Sequence, residues 1–172
     1  LGAGWEKAKV RGSKYNTGDG HRIALDVGAK PAGQWTGCHA TPIDADAPTT
    51  GVLEATDKMP RRSYPVGIMV NLGGRRFVDE GEGFAEQSFV KVAGAILNQE
   101  RSIAFQIFDS KAIPLLEGRY GTSKLVEAGS VQDLADTLGI SSNSLTRTLE
   151  EFNAEAHGGE YSPRELDGRS TK

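Results

Sequence analysis

The stretch from residue 66 to residue 108 constrains the fold more than any other part of the chain. Two short β-rich runs, 66–71 and 75–79, are joined across Leu72-Gly73-Gly74. The Gly-Gly pair supplies the positive φ that a tight turn demands, so the run predicts a β-hairpin. Phe84, Phe89, Val92, Ala93, Ile96 and Leu97 then recur at three- and four-residue spacings, which predicts an amphipathic helix over about 84–99. Ile103-Ala104-Phe105-Gln106-Ile107-Phe108 follows as a β-rich run, read as a buried strand ending at Asp109.

The flanks carry weaker signals. Asn16-Thr17-Gly18-Asp19-Gly20 precedes Ile23, Ala24 and Val27, predicting a short helix over about 18–29, capped by Thr17 or Asn16 and stopped by Gly28 and Pro31. Residues 34–40 read as a short strand. Residues 41–64 form a long loop carrying Pro42, Pro48 and Pro60, with Pro65 just beyond; loops of that length are usually functional or disordered. Further on, Asp109 or Ser110 can cap a short helix toward Glu117. Ser130 with Asp133 makes a capping-box-like start for a helix ending at Gly139. Ser141 or Ser142 opens another, with Leu145, Leu149 and Phe152 on its apolar face and a stop near Gly158-Gly159. Strands come early and helices late, an order that predicts an α+β fold and not alternating βαβ units.

Composition narrows the function classes. The 172 residues carry 20 Lys and Arg against 23 Asp and Glu, a net charge of −3, so no basic footprint for nucleic acid or an anionic membrane is present. Cys38 is the only cysteine and can form neither an internal disulfide nor a structural zinc site alone, which suits a reducing, cytoplasmic setting. No apolar run approaches the ~18 residues of a membrane span, and no basic-then-apolar leader opens the chain. Glycine is over-represented, 22 residues against an average near 7%. The start on Leu1 and the polar, aperiodic stretch 162–172 lead us to expect a piece of a longer protein.

Glycine-rich stretches invite a dinucleotide reading, but none fits. Gly2-Ala3-Gly4, Gly18-Asp19-Gly20 and Gly81-Glu82-Gly83 are followed by Lys7, Ile23 and Glu86 where the third glycine belongs, and none follows an apolar strand. Thr17-Gly18-Asp19-Gly20 still offers free N–H groups at a helix start and, in Asp19, an acceptor for sugar or ribityl hydroxyls; its structural reading is a cap worth ~0.5–2 kcal/mol. Cys38 and His39 are adjacent and on a strand would point to opposite faces, so they cannot form a Cys-His dyad. His39 alone could bind a carboxylate or shuttle a proton, or simply satisfy a backbone group. His21 and His157 are far apart with no third ligand, so no metal site is expected. Arg75-Arg76-Phe77-Val78-Asp79-Glu80 reads as a solvated edge strand with Arg–carboxylate pairs. Asp133, Asp136, Arg147, Glu150, Glu151 and Glu155 read as solvated helix faces.

Four of these stretches, taken in order, resemble the fumarate reductase/succinate dehydrogenase flavoprotein family, in its tricarballylate dehydrogenase-like branch of FAD-dependent oxidoreductases. They are Tyr15-Asn16-Thr17-Gly18-Asp19-Gly20, Gly37-Cys38-His39-Ala40, Gly67-Ile68-Met69-Val70-Asn71 through Arg76-Phe77-Val78-Asp79-Glu80, and Ala104-Phe105-Gln106-Ile107-Phe108-Asp109. The resemblance spans about residues 1–125 and extends loosely to 172. It implies an interrupted FAD domain with an α+β capping domain that holds substrate against the flavin. Residues 1–33 would be the tail of the first FAD-domain segment and 34–172 most of the cap. Thr17, Gly18 and Asp19 would then lie near FAD and His39 near a substrate carboxylate. The family's N-terminal dinucleotide fingerprint and C-terminal flavin-contacting segment are missing, so this chain alone is not expected to hold FAD or to be active.

Family members carry a proton-transferring arginine shortly after the acidic pair that ends the hairpin, and Ala85 stands there in this sequence. The nearest replacements by sequence are Arg61 and Arg62, on the Pro-bounded loop, with Arg75 and Arg76 expected to pair with Asp79 or Glu80. The resemblance thus implies a parent that moves a hydride between flavin and a C–C bond of an organic acid or ketone, partnered by the missing FAD-binding domain. The rival reading is a stand-alone, non-catalytic domain that binds a partner or small anion through loop 41–64.

Overall fold

The computed structural model describes residues 3–156; His157, the Gly158-Gly159 stop and the polar stretch 162–172 lie outside them. In chain order the elements are helix α1 (Asp19–Asp26), strand β1 (Ile68–Asn71), helix α2 (Ala85–Leu97), strand β2 (Ala104–Ile107) and helices α3 (Val131–Leu138) and α4 (Ser142–Glu155). Short 3-10 turns punctuate the rest, among them Thr56–Lys58, Tyr64–Val66 and Gly118–Thr122. The result is the expected α+β arrangement, built on one antiparallel β1–β2 pair in the register Ile68 to Ile107 and Asn71 to Ala104.

Strand alternation puts both faces of β1 to use. Ile68 and Val70 enter a core with Ala135, Ile140 and Leu145 from the α3–α4 side. Met69, on the opposite face, joins Tyr64, Phe89 and Val92 from the α2 side. The sheet is therefore a middle layer between α2 and the α3–α4 pair. β1 and β2 approach so closely beside Gly67 that a Cβ there would stand 2.5 Å from the Ile107 carbonyl oxygen and from the Phe108 ring.

The late helices form where their caps predict. Ser130 Oγ accepts from Asp133 N at the start of α3. At its end Gly139 (φ 69) lets its own N–H reach Asp136 O and the Ile140 N–H reach Ala135 O, a Schellman stop. Ser141 caps α4 by accepting from Ser144 N. Asp109 Oδ1 likewise accepts from Ala112 N before the Ile113–Leu115 turn.

Five expectations are corrected. The turn after β1 forms, with Gly74 at φ 70 and Asn71 N donating to Arg75 O at 3.0 Å, but residues 75–79 do not continue as a strand beyond one bridge from Arg76 to Val70. The reason is Glu80: its carboxylate takes the Met69 N–H at 2.5 Å, so a side chain occupies the edge that a backbone would have paired with. The segment is also not a solvated edge, because Glu80 is 3% exposed and binds Arg76 through Nε at 2.7 Å and Nη2 at 2.6 Å. Among the described residues, 34–40 pair with no other strand. β2 is half-buried along its length, not buried; among the described residues it pairs with β1 alone, whereas the other edge of β1 is met by the Arg76 bridge and the Glu80 carboxylate. Finally, α1 starts on Gly18, and neither Thr17 nor Asn16 caps it; Thr17 Oγ1 lies 3.4 Å from the Asp19 carboxylate instead.

Candidate functional site

The long loop 41–64 is ordered by a small ladder of its own. Arg61 N donates to Pro42 O and Asp44 N donates to Met59 O, both at 2.9 Å, around an antiparallel bridge between Ile43 and Pro60. In this extended stretch neighbouring side chains leave on opposite sides. Arg61 turns inward and Arg62 turns outward, so one pair of adjacent arginines has two different environments.

Arg61 is 8% exposed. Its Nη1 donates to the Pro60 carbonyl at 2.8 Å and the Lys58 carbonyl at 2.5 Å, and its Nη2 to Asp44 Oδ2 at 2.5 Å and to Ser123 Oγ. Ser123 Oγ closes the ring by donating to Asp44 Oδ2 at 2.7 Å. Burial pushes the Asp44 carboxyl up, but the Ser123 hydroxyl, the Asp46 N–H and the Arg61 guanidinium outweigh it and hold the group below the ordinary carboxylate range. Tyr120 lies beneath the Arg61 guanidinium at 5.3 Å, accepts from Ser63 N at 2.9 Å and donates to Gln106 Oε1 at 2.5 Å. Burial pushes its phenol up to about 12, so it stays a neutral donor.

Arg62 is placed differently. Its Nε donates to Thr41 Oγ1 at 3.1 Å, and its guanidinium lies over the Phe89 ring at 4.0 Å. Among the described residues it makes no ion pair. His39, exposed at the surface, meets the same Phe89 ring edge-on at 5.1 Å. One aromatic ring on α2 thus seats an imidazole and a guanidinium that both retain free donors. Ala85, four residues before Phe89, lies on the same face of α2, and its methyl packs against the Tyr64–Met69–Phe89 cluster.

His39, Thr41, Asp44, Arg61, Arg62 and Tyr120 all line one cavity of about 810 Å³, with Ile96, Phe105 and Leu134 among its apolar walls. Seven Lys or Arg residues line it against three carboxylates, although the whole chain is acidic. That local excess of positive charge favours an anionic occupant. Thr17, Gly18 and Asp19 are not part of it: they open the exposed helix α1, where Arg22 pairs with Asp19 at 2.9 Å. The described residues hold no cluster able to bind a metal ion and no helix long and apolar enough to cross a membrane. Their sheet is the single antiparallel pair β1–β2.

The α+β layering agrees with the fold that the motifs' resemblance to the fumarate reductase flavoprotein family implies. The fold is similar to that of the open conformation of a flavocytochrome c3 fumarate reductase, with a TM-score of 0.62 at 24% identity over 88% of this chain and 25% of that one. By sequence the chain is similar to 4-oxocyclohexanecarboxylate 2-dehydrogenase of Sinomonas cyclohexanicum, 30% identical over 157 residues that take in 84% of this chain. It spans 27% of that enzyme's length. No family model matches the chain.

Sequence reasoning singled out His39, Arg61 and Arg62, and the fold brings all three to one cavity. It missed Thr41, Asp44, Phe89, Tyr120 and Ser123. Strand alternation at Arg61-Arg62 was the one available signal that the two arginines would part company.

Proposed function

We propose that this chain is the capping segment of an FAD-dependent oxidoreductase and that it binds the carboxylate or carbonyl group of a small organic acid or ketone. The observation that carries the reading is the convergence of His39 and Arg62 on Phe89, at the wall of a cation-rich cavity, with the Arg62 guanidinium unpaired among the described residues. The sequence relative is named for a molecule bearing both a carboxylate and a ketone, which fits a site offering two adjacent donors. In the parent, bound flavin supplies the hydride chemistry at a C–C bond.

This chain's contribution is to bind and orient. Arg62 can grip a carboxylate through its guanidinium edge while Phe89 supports its face, and His39 can donate to a carboxylate or carbonyl oxygen beside it. A guanidinium is a poor proton carrier, so Arg62 serves as an anchor, and an imidazole such as that of His39 is the group at the wall suited to hand on a proton. Residues 1–33 belong in this reading to the FAD domain, with Thr17, Gly18 and Asp19 near FAD, and 34–172 to the cap; the branch is the tricarballylate dehydrogenase-like one, and the setting is cytoplasmic.

The test uses the full-length protein with fumarate and 4-oxocyclohexanecarboxylate as substrates. His39→Ala and Arg62→Ala should each raise KM and lower kcat/KM by roughly 10- to 100-fold, the loss of one charge-assisted hydrogen bond of ~1.5–3 kcal/mol. Flavin content should not change. Wild-type kinetics in both variants would overturn the reading.

A further inference from the structure

The outward arginine depends on the inward one. Loop 41–64 has no regular secondary structure at residues 41–44 or 59–63 beyond its single bridge, so something else must hold Arg62 in place. Three side chains do so from below: Asp44, Arg61 and Ser123 bind one another in a closed ring. Ser123 comes from the Gly118–Thr122 turn region and Tyr120 from the turn itself, so the ring ties the loop to a distant part of the chain. Gln106 of β2 completes the frame by donating to the Arg61 carbonyl at 3.1 Å while accepting from Tyr120. The frame is attached to the loop directly beneath the peptide that carries Arg62.

The geometry points to Asp44 as a positioning residue for the ligand site, acting through Arg61 and Ser123 to hold Arg62 over Phe89. Asp44 is the only carboxylate that Arg61 meets among the described residues; Arg61 and Ser123 both donate to its Oδ2, while the Asp46 N–H holds its Oδ1 at 2.8 Å. Loss of its charge leaves the Arg61 guanidinium, still bound to the Lys58 and Pro60 carbonyls and to Ser123, with no buried anion, and loosens its hold on the backbone of 59–62. A shift of about 1 Å in a gripping group is enough to cost much of its effect. Asp44 itself never touches the ligand in this arrangement. The assignment rests on the proposed role of Arg62, and the experiment separates the two.

The experiment measures fumarate affinity of the full-length protein by calorimetry for four forms: unmodified, Arg62→Ala, Asp44→Asn and the double variant. Asp44→Asn should weaken fumarate about 10-fold, and the double variant should be no weaker than Arg62→Ala alone, because Asp44 acts only through Arg62. Ser123→Ala, a smaller change to the same ring, should weaken fumarate in the same direction and to a lesser degree, which keeps the test alive if Asp44→Asn does not fold. Full affinity in Asp44→Asn or Ser123→Ala, or additive losses in the double variant, would overturn the positioning role and leave the Arg62 reading intact. Unchanged affinity in Arg62→Ala, or no fumarate binding by the unmodified protein, would overturn the Arg62 reading and this inference with it.

Discussion

Gly51 shows how one residue can decide whether two segments meet. Val10 and Thr50 form a parallel bridge, and Gly51 N donates to Val10 O at 2.6 Å. A Cβ at Gly51 would sit 1.8 Å from the Arg11 carbonyl oxygen, a backbone atom with no rotamer to yield. Gly51→Ala must therefore separate residues 10–12 from the loop, together with the Arg11–Asp57 ion pair and the Lys9 ammonium that caps the Ala45 carbonyl. We expect a loss of about 1–3 kcal/mol in urea denaturation. Asp44 gives a second residue-scale prediction. Its carboxyl is lowered in the folded chain, so its stabilising contribution is complete above its ordinary value of 3.8 and is lost as pH falls through the lowered value. The stability gap between the unmodified protein and Asp44→Asn should be constant near neutrality and close below pH 3.8. Glu80, whose carboxyl burial raises, acts in the opposite direction, but both forms retain it and its effect cancels from the gap. A gap that stays constant through acid pH would refute the assignment.

At the scale of elements, the segment after β1 is held by one buried carboxylate instead of a strand. Glu80 satisfies the Met69 N–H and pairs with Arg76, whose guanidinium also lies 4.9 Å from the Phe152 ring of α4. The pair therefore links the segment 75–80, β1 and α4. Arg76→Ala would leave Glu80 buried without its cation, a change that typically costs about 3–5 kcal/mol. Arg76→Ala with Glu80→Gln should recover part of that loss, because the remaining buried group is neutral; thermal denaturation of the three forms checks it. α4 is fastened to the same turn from the other side, by Ser144 Oγ to Gly73 O at 2.6 Å and Thr148 Oγ1 to Gly74 O at 2.8 Å.

For the whole molecule, the contrast between α1 and the other helices is the main feature. α2, α3 and α4 each bury residues in a core, whereas α1 buries none, with Ile23 61% and Leu25 43% exposed. A helix of this length without tertiary burial has little to hold it. In hydrogen exchange of the 172-residue chain, amides of residues 23–26 should exchange orders of magnitude faster than those of residues 89–97. In the full-length protein the same amides should become protected if residues 1–33 belong to the FAD domain. Equal exchange in both would count against that boundary.

What was legible in the sequence is what local physics governs. The Ser130 and Ser141 caps, the Gly139 stop and the apolar period of α2 specify their elements because each depends on hydrogen bonds or spacings within a few residues. The turn at Leu72-Gly73-Gly74 was legible for the same reason. The second hairpin strand was not, since the Met69 N–H that would have paired with it is taken by a carboxylate eleven residues away. Strand-like residues 34–40 likewise found no partner backbone, and strands exist only in pairs. At the site, His39, Arg61 and Arg62 could be nominated from chemistry and order along the chain. Only the tertiary structure decided that Arg61 turns inward to an aspartate and a serine 17 and 62 residues away, while Arg62 faces the cavity on Phe89. Long-range contacts set the environment of each charge, and environment, not residue type, determines what an arginine can do.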